Sequence, residues 1–395
     1  MISRLSGFHL LSMKDRVQKI AELRQLSRED RLTLQAESNL GRDLADRMVE
    51  NAVGTISLPV GIATNFQINH RDYLVPMAIE EPSVVASASS MAKLVRNAGG
   101  FIAQASSRRM VGQIQLTNCA DPKDARTRIL SHSKDLLHLA NQAQPNMAAR
   151  GGGALEVDAR VMDSSSQINH EAGMLAVQFV IDTQDAMGAN VIDSMMETLA
   201  PTIAQITGGT VNLCILSNYT DQCLAHAQCH VPAVLLGTQS MDGQEVGRRI
   251  VEAYMFAEED IYRAVTHNKG IMNGIDAVAL ATGNDWRAIE AAAHAYAVHS
   301  GQYRPLSRWE FNGEELIGSL SLPLAAGIVG GATGINPAAG VALRILGVSQ
   351  ATELAMVMAT VGLAQNLGAL KALVTDGIQK GHMVLHARAR SFLQN

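Results

Sequence analysis

Between about residue 110 and residue 217 the chain alternates strand-like and helix-like runs in an order that few folds accept. Residues 112–119 (GQIQLTNC) read as a strand and 124–143 as a helix. Residues 155–162 and 174–181 read as two strands joined by the polar loop DSSSQINHE. Residues 190–206 read as a helix and 211–217 as a closing strand. This β-α-β-β-α-β order is the split βαβ, or ferredoxin-like, arrangement. The sequence on either side has a different texture, with long helical patterns after it. A small domain inserted into a larger one is therefore expected.

The length of 395 residues is enough for two or three domains with real cores. With 47% hydrophobic and 17% charged residues, the chain is globular rather than disordered. Aromatic residues make up only 4%, so the core must be aliphatic and stacking platforms for bases are scarce. A net charge of -5 gives no reason to expect a polyanion, so no nucleic-acid partner is expected. The four cysteines (Cys119, Cys214, Cys223, Cys229) have no disulfide-framework density. The opening MISRLSGFHLLSMKDR has an apolar run too short for a signal peptide, which gives the expectation of a cytoplasmic, reduced protein.

Outside the central block, Ser12 suits the N-cap of a helix carrying Val17, Ile20 and Leu23 on one face, and a second helix is expected from Gly41 to Val49. TISLPVGIATNFQINHRDYLVPMAIE reads as a hairpin turning at Asn69-His70-Arg71-Asp72. Pro82 fits the first turn of a helix running to Arg96. Further helices are expected over 246–262, 285–297 and 350–378. No charged residue occurs from Leu316 to Leu343, a length that could span a bilayer. Its prolines, Asn336 and its run of glycines favour a buried strand–turn–helix, so no membrane association is expected.

Several residues have the chemistry of a site. Glu81 lies where a strand gives way to a helix. It reads either as an acid answering the helix dipole or as a site residue at a strand–turn–helix junction. Asp285 is either an N-cap or a site acid. Lys269 is the single lysine of THNKGIMNG, an otherwise uncharged run, and reads equally as a snorkelling surface lysine or a site residue. DAMGAN (185–190) ends a strand and opens a helix. Gly188 allows close backbone approach there, and the helix terminus offers N–H groups to a phosphate. His382 and His386 have metal-compatible spacing but no third ligand nearby. Cys223, His226, Cys229 and His230 sit on a strand whose alternation splits them between two faces, which excludes a tetrahedral site. No metal is expected. No Gly-Lys-Ser/Thr loop or G-x-S-x-G elbow is present.

Taken together, NFQIN (65–69), EEPSVVASAS (80–89), DAMGAN, THNKGIMNGID (266–276), ATGND (281–285), GIVGGAT (327–333), GLAQNLGAL (362–370) and GHMVLHAR (381–388) resemble, in one order, class II (bacterial-type) 3-hydroxy-3-methylglutaryl-CoA reductases. The resemblance runs from about residue 15 to 390. It implies an α+β protein with a large mixed α/β substrate and CoA domain (1–109 and 218–376), an inserted nicotinamide-nucleotide domain (110–217), and a C-terminal helical flap (377–395). The chain ends at Asn395, soon after His382, so the flap is expected to be short.

The family's reaction is a four-electron reduction of hydroxymethylglutaryl-CoA to mevalonate and CoA with two NAD(P)H, or its reverse. By residue matching, the resemblance implies the catalytic set Glu81, Lys269, Asp285 and His382. Lys269 is expected to stabilise the developing alkoxide. Glu81 is expected to deliver the proton, held as the acid by burial and Asp285 against the pull of the lysine and the helix terminus. His382 is expected to protonate the leaving CoA thiolate. Gly270 and Gly274 are expected to give substrate clearance and a backbone turn. Ser83, Arg263, Asn273, Gln365 and Leu373 match substrate-binding positions, and Asp185, Met187, Gly188 and Asn218 match cofactor-binding positions.

Ala154 follows the glycine run where NAD(H)-using members can carry an acid, so NADP(H) is favoured over NAD(H). The resemblance also implies a homodimer, or a multiple of dimers, with the site at the subunit interface. Two other readings are a CoA-dependent acyltransferase, which needs a reactive cysteine or a histidine–aspartate pair, and a non-catalytic CoA-binding relative.

Overall fold

A computed structural model describes residues 3–36, 40–162, 173–375 and 377. His382, His386 and the expected flap beyond Gly377 lie outside the described residues, as does the whole of the DSSSQINHE loop. The chain divides into two compact units. One is Ser106–Leu224, and the other is formed by the sequence before and after it.

The larger unit begins with helices α1 (Met13–Arg24), α2 (Arg28–Gln35) and α3 (Arg42–Met48), the hairpin β1 (Val60–Ile68) and β2 (Arg71–Ala78), helix α4 (Val84–Asn97) and strand β3 (Ile102–Ala105). The inserted unit follows as β4 (Arg109–Cys119), α5 (Pro122–Ser131), α6 (Ser133–Ala143), α7 (Pro145–Ala148), β5 (Gly153–Met162), β6 (Gly173–Asp182), α8 (Ala189–Thr207) and β7 (Thr210–Leu216). The larger unit resumes with β8 (Leu224–Pro232), α9 (Ala233–Leu236), α10 (Gly243–Glu259), α11 (Ile261–Ala281) and α12 (Trp286–Tyr296). It ends with β9 (Ser307–Phe311), β10 (Glu315–Pro323), α13 (Gly331–Ile335), α14 (Pro337–Leu346) and α15 (Ala351–Val374).

In the inserted unit the sheet order is β5-β6-β4-β7, every neighbouring pair antiparallel. Numbered by appearance that is 2-3-1-4, the ferredoxin-like order. Ile114, Leu116, Val177, Phe179 and Ile181 alternate onto the buried face, which α8 covers over β4 and α5 over β6. The helix expected over 124–143 is two helices, broken at His132. Asp121 caps the first with Pro122 behind it, so the start is fixed by local chemistry.

In the larger unit a four-stranded sheet, β3-β8-β10-β9, and the β1–β2 hairpin share one aliphatic core with α4, α10, α11 and α15. α15 is buried on every side and is, among the described residues, the helix long and apolar enough to cross a membrane. The charge-free stretch after Leu316 forms the strand β10, a turn and the helices α13 and α14. On β8 Cys229 is buried, while His226 and His230 lie on the opposite face.

Three local readings change. The pattern over 246–262 is two helices meeting at Asp260, which caps α11 by accepting the Arg263 N–H at 2.7 Å. THNKGIMNG is not a turn but the middle of α11. Gly274 is there for packing: a Cβ on it would stand 3.1 Å from Gln365 Cβ and from Val361 Cγ1. Gly362 on α15 answers it, with Ile271 and Ile275 filling the space. Pro82 precedes α4 rather than entering its first turn, and Ser83 is the N-cap with a left-handed φ of 75°.

Gly318 faces Trp309 across β10–β9, and a Cβ there would lie 2.2 Å from the indole. Gly318→Ala should therefore lower stability by roughly 1–3 kcal/mol through overpacking. Gly270, where an added methyl would meet nothing within 4 Å, should behave oppositely. Gly270→Ala should raise stability by about 0.5–1 kcal/mol through helix propensity. Thermal melts of the two variants against wild type check both signs.

Candidate active site

α11 carries Lys269 and two of the implied substrate residues, Arg263 and Asn273, and all but one of its faces are buried. Lys269 and Asn273 are four residues apart and project from the face left open. Arg263 lies near the start of the same helix, half-buried, and burial lowers its pKa from the usual guanidinium range. One turn on, His267 is fully buried. Burial and then the Arg263 charge push its pKa down to about 3, so it is a neutral imidazole. Its Nε2 lies 2.7 Å from Ser307 Oγ and 3.0 Å from Asn366 Nδ2. Asn366 Oδ1 in turn accepts from Ser307 Oγ at 2.9 Å and from Trp309 Nε1 at 2.7 Å. This polar chain ties α11 to α15 and β9, and it fixes the helix from which Lys269 reaches out.

Lys269 Nζ donates to Glu81 Oε2 at 3.2 Å. The pair joins α11 to the β2–α4 junction, and its lysine side chain is 60% exposed. Ser83, two residues on, caps α4 with its backbone rather than its hydroxyl. Gln365, packed against Gly274, keeps its Oε1 buried and without a hydrogen-bond partner among the described residues. That is an acceptor held ready for a donor. Leu373, near the end of α15, is exposed.

Asp285 stands elsewhere in this chain. It accepts from the Arg287 and Ala288 N–H groups at 3.1 Å each and pairs with the Arg287 guanidinium at 3.0 Å. It thus caps α12 beyond the far end of α11, about 18 Å along the axis from Lys269 to Ala281 at 1.5 Å per residue. The ATGND turn is bonded to the GIVGGAT loop through Gly327 N–H to Asn284 Oδ1 at 2.6 Å and Thr333 Oγ1 to Thr282 O at 3.1 Å. Among the described residues of one chain, Glu81 is therefore bonded to the lysine and not to the second carboxylate expected to hold it as an acid.

In the inserted unit, β6 and β7 both run antiparallel to β4, so both end beside the start of β4. β5 begins at the same place, where Gly153 pairs with Asp182. One end of the sheet therefore gathers the glycine run, the DAMGAN turn and Asn218, which follows β7. Gly188 has φ 94° and opens α8 without a side-chain cap; a Cβ there would meet Thr183 at 2.7 Å. A Cβ on Gly152 would stand 2.6 Å from Asp182 O. Asp185 and Met187 are partly exposed at this edge, and Ala154 is buried.

Sequence reasoning missed Arg108, at this same edge. It is only 3% exposed, and its guanidinium nitrogens have no hydrogen-bond partner by geometry among the described residues. Burial lowers its pKa, while Cys223, Asp185 and Asp182 oppose that shift. An arginine in SSRRM carries no motif, so nothing in the sequence marked it. The α8 terminus, left without a side-chain cap, and this arginine fit the anionic part of a nucleotide.

Burial raises the pKa of all four cysteine thiols, that of Cys229 to about 12. None has the depressed pKa of a catalytic nucleophile. Among the described residues no three histidine, cysteine or acidic side chains gather as a metal site would need.

A family model described as hydroxymethylglutaryl-coenzyme A reductase matches residues 12–387. A 3-hydroxy-3-methylglutaryl-coenzyme A reductase of Archaeoglobus fulgidus is 47% identical over 389 residues, which is 98% of this chain and 86% of that protein. A probable reductase of Borreliella burgdorferi is 35% identical, covering 98% and 88%. The solved class II 3-hydroxy-3-methylglutaryl-CoA reductase of Streptococcus pneumoniae, bound to NADPH in open conformations, superposes with a TM-score of 0.87 at 42% identity, over 94% of this chain and 99% of that one. With family-wide coverage and a shared fold, the chain belongs to the hydroxymethylglutaryl-coenzyme A reductase family.

Proposed function

We propose that this chain is a class II reductase that converts hydroxymethylglutaryl-CoA to mevalonate and CoA with two nicotinamide nucleotides, or runs the reverse. The observation that supports it most directly is the Lys269–Glu81 pair, an ammonium on the open face of α11 set against a carboxyl group at the β2–α4 junction. When bound, the nicotinamide supplies hydride; the chain's own residues handle charge and protons. Lys269 stabilises oxyanion character at the thioester carbonyl and then at the mevaldehyde oxygen, and Glu81 passes a proton to that oxygen. Arg263 and Asn273 hold the hydroxymethylglutaryl carboxylate and hydroxyl, with Gln365 Oε1 as a waiting acceptor and Ser83 and Leu373 at the rim. Asp285 and His382 complete the catalytic set in the assembled enzyme, His382 as the acid for the CoA thiolate.

Asp185, Met187, Gly188 and Asn218 bind the nucleotide at the sheet end. NADP(H) is the preferred form, because Ala154 places no acid at a 2′-phosphate. The working unit is a homodimer. Val53 and Ile56 support this: they are almost wholly exposed on an extended segment, as expected of an arm that covers a second subunit. The four unpaired cysteines suit the cytoplasm. The buried thiols with raised pKa values disfavour an acyltransferase.

Purified protein with hydroxymethylglutaryl-CoA should oxidise NADPH, followed by absorbance in parallel with NADH; oxidation of neither defeats the reading. Lys269→Ala should melt within about 1 kcal/mol of wild type, since exposed pairs contribute little. It should still bind the CoA ester and lose turnover by roughly two to three orders of magnitude. A Lys269→Ala enzyme of near-normal kcat would remove the lysine from the mechanism.

A further inference from the structure

One ionisable cluster of the larger unit has no part in the mechanism above. Asp276 lies on α11 seven residues beyond Lys269, with Asn273 between them at four from one and three from the other. The three share one helical stripe, and Asp276 is about 10 Å along the axis from the lysine. Its Oδ1 is buried and unpartnered among the described residues. Behind it stands α12, where Glu290 Oε2 lies 2.8 Å from His294 Nε2. His294 Nδ1 lies 2.7 Å from Tyr303 Oη, and the two rings stack at 6.0 Å.

We propose that Glu290 and His294 keep Asp276 as a neutral carboxylic acid, so that Lys269 keeps its full positive field for the reacting oxygen; Asp276 is a positioning residue of the reductase. This rests on the reductase reading. Two carboxyl groups sharing one buried place do not both ionise readily. His294 answers the charge of Glu290, so the proton stays on Asp276 and is donated to Glu290. The directions agree. Burial and then Glu290 raise the pKa of Asp276, and the His294 hydrogen bond holds that of Glu290 down. The Glu290 hydrogen bond raises that of His294. α11 also packs against β2, α4, α10, α14 and α15, but Glu290 is the ionisable group acting on Asp276; His294 and Tyr303 act through Glu290.

A raised carboxyl pKa means the acid is neutral around neutral pH and ionises as pH climbs. Ionised Asp276 would set a negative charge against the lysine. At about 10 Å and an effective dielectric near 20, one such charge changes oxyanion stabilisation roughly tenfold. The enzyme should therefore lose about tenfold in kcat on the alkaline side.

The test is kcat and KM against pH, with thermal melts, for wild type and three variants. Asp276→Asn, neutral at every pH, should match wild type near neutrality and keep its turnover to higher pH. Glu290→Gln removes the neighbouring negative charge, so its fall should begin at lower pH. His294→Gln removes the cation, so its fall should begin at higher pH. Opposite shifts from two members of one cluster are not what a merely structural role produces. Identical alkaline limbs in wild type and any folded variant, or same-direction shifts in Glu290→Gln and His294→Gln, overturn the role of Asp276. A wild type inactive at all pH values overturns the reductase reading instead.

Discussion

The close contact between α11 and α15 is the constraint from which the larger unit takes its form. Two glycines face outward into it, Gly274 on one helix and Gly362 on the other, and each accepts the partner's aliphatic side chains. At that spacing even one methyl must displace backbone or branched carbons. The contact also has a polar seam, in which a neutral His267 and Asn366 bind each other, Ser307 and Trp309. Leaving one such buried group unpaired costs about 1–3 kcal/mol. The helix bearing Lys269 is therefore fixed in rotation as well as position, and an ammonium on a stiff support needs little reorganisation as charge develops.

The inserted unit solves a different problem. Its sheet parity brings three separate chain segments to one end. A split βαβ order makes β6 and β7 parallel to each other across β4, so their C-terminal turns, and the start of β5, converge without any long loop. Glycines stand where backbone comes within contact distance of backbone or of Thr183. The buried Arg108 lies at the same end, with Asp182 and Asp185 acting on it.

Much of this was legible in the sequence, and the reasons can be named. Period-two alternation marked the strands of the inserted unit, and Ser12 and Asp285 act as caps through short-range hydrogen bonds. THNKGIMNG misled because its two glycines, so close together, imitate a turn. The cause of Gly274 is a partner helix far along the chain, which no local window contains. The break at His132 and the left-handed Ser83 are likewise decided by tertiary packing. Glu81 and Lys269, far apart in sequence, were linked by resemblance alone; their hydrogen bond is what the fold adds. Arg108, Asp276 and His294 stood in unremarkable strings, since burial and orphaned polar atoms have no signature in one dimension.

The two strands of chain that enter and leave the inserted unit are bonded to each other at its base. Ser106 N–H donates to Leu224 O at 2.8 Å, Leu224 N–H donates to Ser106 Oγ at 2.9 Å, and Ser106 Oγ reaches Gln222 O at 2.6 Å. For the rest of the molecule, then, the whole inserted unit has the ends of a short hairpin. A loop whose ends already touch imposes almost no closure entropy on its host, however long the chain between them. The inserted unit is in that sense a plug-in module. It could be exchanged for another fold of equal end-to-end span while the aliphatic core around α15 keeps its own register.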